Sequence, residues 1–112
     1  SELALCRIAI PEVISGLNRR IRDKSISLSE YWTIKNFFFE CVNDANIIKI
    51  NSIVITNSLY LLENNTLRAM DSLHISCAIF WQADLFVTAD RRQFIAAQNS
   101  GIASKYIGFK KY

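Results

Sequence analysis

Apolar residues recur along this chain at helical spacing, and the stripes are separated by apolar runs short enough to be strands. Leu3, Leu5, Ile8 and Ile10 open it as a short strand, or as a helical turn leading into one. Pro11 suits the first position of a helix whose stripe is Val13, Ile14, Leu17 and Ile21. Asn18, Arg19, Arg20 and Arg22 take its outer face, and Glu12 falls in its first turn. Ser27 with Glu30 forms a capping box, so a second helix starts near Leu28. Tyr31, Ile34, Phe37, Phe38 and Cys41 mark its buried side, and Asn43-Asp44 ends it. Ile47 to Ile50 reads as a short strand. Ser52 to Glu63 opens with β-branched residues. Ser52 can nevertheless cap, and Ile55, Leu59 and Leu62 keep helical spacing, so a helix is expected there.

Thr66 is the expected N-cap of the next helix, with Leu67, Met70, Leu73, Cys77 and Trp81 along one side. Leu85 to Thr88 is an apolar strand of the type buried on both faces. Arg91 to Gln98 reads as a short helix stopped by Asn99-Ser100-Gly101, and Tyr106 to Phe109 as a final strand. Helices alternating with short apolar strands predict an α/β layered domain with a parallel sheet. Ligands of such folds sit at the carboxyl ends of the strands.

Two acids bracket the best-defined of these segments. Asp71 stands near the start of a helix and Asp90 just past the end of a strand. The helix from Asp71 to Trp81 rises about 15 Å, and the strand from Asp84 to Asp90 spans roughly 20 Å. The turn between them reverses the chain, so the two legs nearly cancel and the acids meet at one end. Two carboxylates at the carboxyl end of a strand form a candidate site for a hard divalent cation.

Composition narrows the picture without deciding it. The chain has 112 residues, 51% hydrophobic and 21% charged, which fits one domain over residues 1–112 with a real core. A net charge of +3 and a pI near 8.9 permit a nucleic-acid partner without requiring one. Basic residues bunch at Arg19 to Lys24, at Arg91-Arg92, and at Lys105, Lys110 and Lys111, a pattern that solvated helix faces and a soluble tail also produce. Cys6, Cys41 and Cys77 are odd in number and widely spaced, as for buried thiols in a reducing cytoplasm. One histidine and no Cys-x-x-Cys pair argue against zinc. No apolar run is long enough to span a bilayer, and no signal peptide is visible.

Arg68-Ala69-Met70-Asp71-Ser72-Leu73-His74-Ile75 and Ala83-Asp84-Leu85-Phe86-Val87-Thr88-Ala89-Asp90 together resemble the C-terminal signature of PIN domains. They are similar to the toxins of VapBC type, with their "Arg-Ala-Leu-Asp-Ala-Leu-His" helix and "Phe-Val-Thr-x-Asp" strand. Arg7-Ile8-Ala9-Ile10-Pro11-Glu12-Val13 resembles, more loosely, the segment bearing that family's second acid. The resemblance implies a three-layer α/β/α fold with a parallel central sheet. It implies a ribonuclease that holds Mg²⁺ or Mn²⁺ on four acids, the second to fourth being Glu12, Asp71 and Asp90. Thr88 matches a hydroxyl position lining that site. RNA and an antitoxin protein are the implied partners. The family's first acid, carried on an N-terminal strand, has no counterpart here. The expectation is therefore an N-terminally truncated pattern, with the missing strand supplied upstream or by another segment, or a chain that is inactive.

Each residue also has a plainer role to weigh. Asp71 suits a first helical turn through the helix dipole, Asp90 can cap the helix at Arg91, and Glu12 beside Pro11 is sound helix design. His74 reads as a hydrogen-bonded core histidine and Asp84 as a turn residue. Arg91 can reach a substrate phosphate or simply be solvated. The run Phe37-Phe38-Phe39 is wider than one core-facing stripe, which favours a homodimer through that helix. The rival to a nuclease is a non-catalytic PIN-like protein that binds RNA or a protein partner. A receiver-like module fits less well, because no matching lysine and phospho-acceptor layout is present.

Overall fold

In the computed structural model, which describes residues 2–108, five helices and four three-residue strands interleave among the described residues. The α/β class read from the pattern is thus present, and both strand pairs are parallel. The pairing is divided between two two-stranded sheets. The chain forms two compact units, Ser1–Ile48 and Lys49–Tyr112. No helix among the described residues is long and apolar enough to cross a membrane.

The first unit runs β1 (Ala4–Cys6), α1 (Ala9–Arg22), α2 (Leu28–Asp44) and β2 (Asn46–Ile48). The opening segment resolves as a strand, with Ala4, Leu5 and Cys6 in register with Asn46, Ile47 and Ile48. Pro11 is the third residue of α1, not the first. The shift costs nothing, because the first three helical N–H groups have no acceptor inside the helix. The first to find one is that of Glu12, which donates to the Ile8 carbonyl at 3.2 Å. Asn18, expected on the outer face, is half-buried and donates to the Ile14 carbonyl and the Tyr31 hydroxyl, tying α1 to α2. The Ser27–Glu30 capping box forms as expected. The burial expected of α2 does not: Tyr31 is buried, while Ile34 is 40% and Phe37 66% exposed. Nor is the phenylalanine run alone in this, since Leu28 and Trp32 on the same helix are exposed too.

The second unit runs α3 (Ser52–Asn64), α4 (Ala69–Trp81), β3 (Phe86–Thr88), α5 (Arg91–Asn99) and β4 (Ser104–Tyr106). Asn51, not Ser52, caps α3 by accepting the Val54 N–H at 2.9 Å. Successive residues of a helix stand about 100° apart around its axis. The buried stripe is likewise offset by one residue from the expected one: Val54, Ser58 and Leu61 are buried, and Ile55 and Leu59 face outward. α4 buries Ser72, Ile75, Ser76 and Cys77 rather than Met70 and Trp81, and it meets this stripe through Ser76 at Val54 and Ile75 at Leu61. Small residues let the two helices approach closely. Burying their hydroxyls is inexpensive because each one donates: Ser58 to Ile55 O, Ser72 to Ala69 O, and Ser76 across to Val54 O, all at 2.6 Å. Arg68, not Thr66, is the N-cap of α4. Leu61, Ile75, Ala96 and Ala97 form the core, flanked by Leu67, Ile79, Phe86 and Ile102.

β3, α5 and β4 make a parallel β-α-β unit in which Phe86, Val87 and Thr88 pair with Ser104, Lys105 and Tyr106. β3 is not buried on both faces, since Val87 is 50% exposed. The last strand is Ser104–Tyr106, earlier than expected, and Phe109 lies outside the described residues. Gly101, at φ 83°, takes the left-handed turn after α5 that a side chain would resist.

Candidate functional site

β3 ends at Thr88 and α5 begins at Arg91, so Ala89 and Asp90 are the whole connection. A tight strand-to-helix step exposes the first N–H groups of the helix, and Asp90 caps them. Its Oδ1 accepts from the N–H of Arg92 at 2.8 Å and of Gln93 at 3.1 Å. Asp90 to Gln93 follows the spacing of a capping box, in which the third residue's side chain would reach back to the cap's own N–H. Here Thr88 takes that place, its Oγ1 accepting the Asp90 N–H at 3.0 Å. The Gln93 carboxamide is thereby released for other partners. Its Oε1 accepts the Thr88 hydroxyl at 2.8 Å, and its Nε2 donates to Asp71 Oδ1 at 2.8 Å.

Asp71 arrives from the first turn of α4. Its Oδ2 accepts from both the backbone N–H and the Nε of Arg68, each at 3.3 Å. The carboxylate is 3% exposed as a residue, while the Arg68 side chain is 74% exposed. Burial pushes the Asp71 carboxyl up. The Gln93 amide, the Arg68 N–H and the Arg68 guanidinium together outweigh it and hold the group below its ordinary value. Asp71 is therefore ionised, and the donors run in one direction: Asp90 N–H to Thr88, Thr88 O–H to Gln93, Gln93 N–H to Asp71. Among the described residues no buried side-chain polar atom lacks a partner.

This cluster brings together Asp71, Thr88 and Asp90, three of the residues singled out in the sequence. They meet through Gln93, which sequence reading passed over. The signal was present: a cap residue with glutamine three positions on is a capping-box pattern. Asp90 serves as the cap, the plainer of the two roles weighed for it. Glu12 lies in the first turn of α1 and belongs to the other unit. Arg91 is exposed at the first position of α5, followed by exposed Arg92. Cations at a helix N-terminus oppose the dipole by about 0.3–1 kcal/mol each. Two exposed guanidinium-bearing residues side by side suit an anion. His74 is half-buried on α4, and Asp84 is exposed in the turn before β3.

Among the described residues no three His, Cys, Asp or Glu side chains converge as a metal-holding group. The donor chemistry nonetheless fits a hard cation. Asp90 Oδ2 accepts no hydrogen bond among the described residues, and Asp71 keeps about one spare lone pair, on Oδ1, beside the three bonds it accepts. Mg²⁺ is commonly held by one or two carboxylates, with waters and substrate phosphates completing the shell. No protein-family model matches this chain, and no curated protein matches it.

Proposed function

We propose that the chain is a divalent-metal-dependent endoribonuclease of PIN type, acting as the toxin of a VapBC-type pair. The observation that carries the reading is the Gln93 carboxamide, which ties the acid of one signature motif, Asp71, to the Thr88–Asp90 end of the other. The reading brings with it the family's three-layer α/β/α arrangement, an antitoxin as protein partner and a cytoplasmic setting. Exposed Trp32 and Phe37 on α2 favour its homodimer.

Asp71 and Asp90 would hold Mg²⁺ or Mn²⁺. When bound, such an ion supplies a water of lowered pKa and neutralises charge on an in-line phosphoryl displacement. Asp90 uses Oδ1 on the helix N–H groups, which fixes the carboxylate plane and leaves Oδ2 for the cation. Gln93 and Arg68 keep Asp71 ionised. Thr88 orders the connection that carries Asp90, its hydroxyl both donating and accepting. Arg91 and Arg92 offer their guanidinium groups to the RNA phosphates.

Asp90→Asn tests the proposal cleanly, because asparagine caps a helix as well as aspartate does. The purified chain is incubated with structured RNAs in Mg²⁺ or Mn²⁺. The wild type cleaves, and Asp90→Asn melts within about 0.5 kcal/mol of it while losing cleavage. A wild type without metal-dependent cleavage, or an Asp90→Asn variant that cleaves like wild type, would falsify the assignment. The second reading, a non-catalytic protein that binds RNA or a protein partner, is favoured by the three hydrogen bonds that already occupy Asp71. Titration calorimetry separates the two, since that protein gives no Mg²⁺ or Mn²⁺ heat.

A further inference from the structure

A cleft of about 480 Å³ lies along α3 in the second unit. Asn57, Tyr60, Leu61 and Asn64 line it at i, i+3, i+4 and i+7, a single face of that helix. Asn65 just after α3, Ile79 of α4, and Asn99 with Ser100 at the end of α5 complete the lining. From Asn57 to Asn64 the helix rises about 10.5 Å. The volume falls in the range of small-ligand sites. Among the described residues that line it there is no Asp, Glu, Lys, Arg or His, and Glu63 and Arg92 line a neighbouring cleft instead. Asp71, Thr88, Asp90 and Gln93 are not in its described lining either.

The lining has hydrogen-bonding capacity to spare. The Asn57 carboxamide makes no hydrogen bond among the described residues. Asn99 Nδ2 donates to Asn65 Oδ1 at 3.2 Å, and Asn65 Nδ2 donates to the Leu61 carbonyl at 3.1 Å. Asn64 Nδ2 donates to the Tyr60 carbonyl at 2.9 Å. These bonds fix the amide orientations. They leave Asn99 and Asn64 each with an Oδ1 acceptor and a second N–H donor side by side. Two neighbouring hydroxyls match such a pair, one donating to the oxygen and the other accepting from the N–H. Tyr60, 68% exposed, offers a flat apolar ring beside these amides. A sugar ring has the complementary make-up: C–H groups on a face that can lie on an aromatic ring, and uncharged hydroxyls around its rim. A nucleobase has two flat faces to cover, and Tyr60 is the one aromatic residue in the described lining. A peptide would need apolar pockets for its side chains, and Leu61 and Ile79 are the aliphatic residues in the described lining, Leu61 being 3% exposed.

We infer that this cleft binds an uncharged carbohydrate, with Tyr60 stacking on one sugar ring and Asn57, Asn64 and Asn99 bonding its hydroxyls. The inference goes beyond the ribonuclease reading and does not depend on it, since the two use different residues.

The test is saturation-transfer NMR on the full chain with three uncharged trisaccharides, maltotriose, cellotriose and acetylated chitotriose, and with uridine and adenosine as uncharged planar rings. At least one trisaccharide is expected to bind at millimolar concentration, with the strongest transfer to its ring C–H protons. Its affinity should not change with salt, because no charged residue is in the described lining. Tyr60→Ala weakens that binding roughly tenfold, the scale of one lost aromatic stack. Tyr60→Phe keeps it, and Asn57→Ala weakens it severalfold. Neither Tyr60 nor Asn57 makes a side-chain hydrogen bond among the described residues, so the variants keep the fold, as circular dichroism checks. Absence of binding by all three trisaccharides overturns the inference. So does tighter binding of a nucleoside than of every trisaccharide, or unchanged affinity in both Tyr60→Ala and Asn57→Ala.

Discussion

Gln93→Leu removes the carboxamide that joins Thr88 to Asp71 and replaces it with an apolar side chain of similar volume. Leucine can neither donate to Asp71 Oδ1 nor accept from the Thr88 hydroxyl, contacts that Gln93 makes at 2.8 Å each. The charge-assisted bond is worth about 1.5–3 kcal/mol and the neutral one about 0.5–1.5 kcal/mol. Asp71 and Thr88 are 3% and 7% exposed, so little water reaches the orphaned atoms. Gln93 itself is half-buried, and some hydration returns from its side. The loss is therefore set near the lower end, about 2 kcal/mol, or roughly 10 °C in Tm. Its pH dependence identifies the cause. Asp71 is held below its ordinary value of 3.8, so its stabilising contribution is present above that value and fades as pH falls through the lower folded-state value. In the variant burial still pushes the carboxyl up and the Gln93 amide no longer opposes it, so the folded-state value rises. Once pH lies below both folded-state values, Asp71 is protonated in both proteins and the charge-assisted part of the difference disappears. Urea unfolding from neutral pH down to about pH 3 should show the gap between the proteins closing. A gap below about 0.5 kcal/mol at neutral pH, or one that does not change with pH, would refute the reasoning.

Ile75→Ala opens a cavity among Leu61, Ala96 and Ala97, where Ile75 is 0% exposed, and should cost about 2–5 kcal/mol in urea unfolding. Arg68→Ala should cost less than about 1 kcal/mol, because the guanidinium is largely solvated. On the proposed reading the same change raises Mg²⁺ affinity severalfold by calorimetry, since it removes a competing cation from Asp71 Oδ2. Unchanged Mg²⁺ heat would show that Asp71 does not face the metal.

The sequence was most legible where one local rule acts alone. Ser27 and Glu30 start α2 without help from the rest of the chain, and the Asp90 cap and the Gly101 stop bound α5 in the same way. It was least legible where neighbouring residues compete for one role. Asn51 and Ser52 can each cap α3. The buried face is likewise Val54, Ser58 and Leu61 instead of Ile55 and Leu59, a result no hydrophobicity count predicts. α4 shows the same limit differently. Its buried face contains Asp71, Ser72 and Ser76, which read as polar until their hydroxyl and carboxylate partners are known. Phe37 failed in the opposite sense, since large apolar residues need not be inside. Gln93 lay hidden for a similar reason. Its backbone role is written in the Asp90-x-x-Gln93 pattern, but its side chain answers to Thr88 and Asp71, one outside the pattern by two residues and the other on a different helix.

A glutamine at this position also settles the charge of the site. Glutamate there would set a second carboxylate 2.8 Å from Asp71 Oδ1, and like charges at that distance raise each other's pKa. With glutamine, Asp71 and Asp90 carry two negative charges while Arg68, Arg91 and Arg92 carry three positive ones. Two carboxylates so compensated attract a free divalent cation weakly. An RNA phosphate arriving at Arg91 and Arg92 adds negative charge and an oxygen ligand together, and a Mg²⁺ shell is normally completed by that kind of donor. On the proposed reading, metal and RNA therefore bind cooperatively, each tightening the other by the same factor. Mg²⁺ titrated into the chain alone should then bind more weakly than Mg²⁺ titrated into the chain with a non-cleavable RNA. Equal affinities in the two titrations would mean that the phosphate does not share the metal, and that the arginines at the start of α5 serve some other anion.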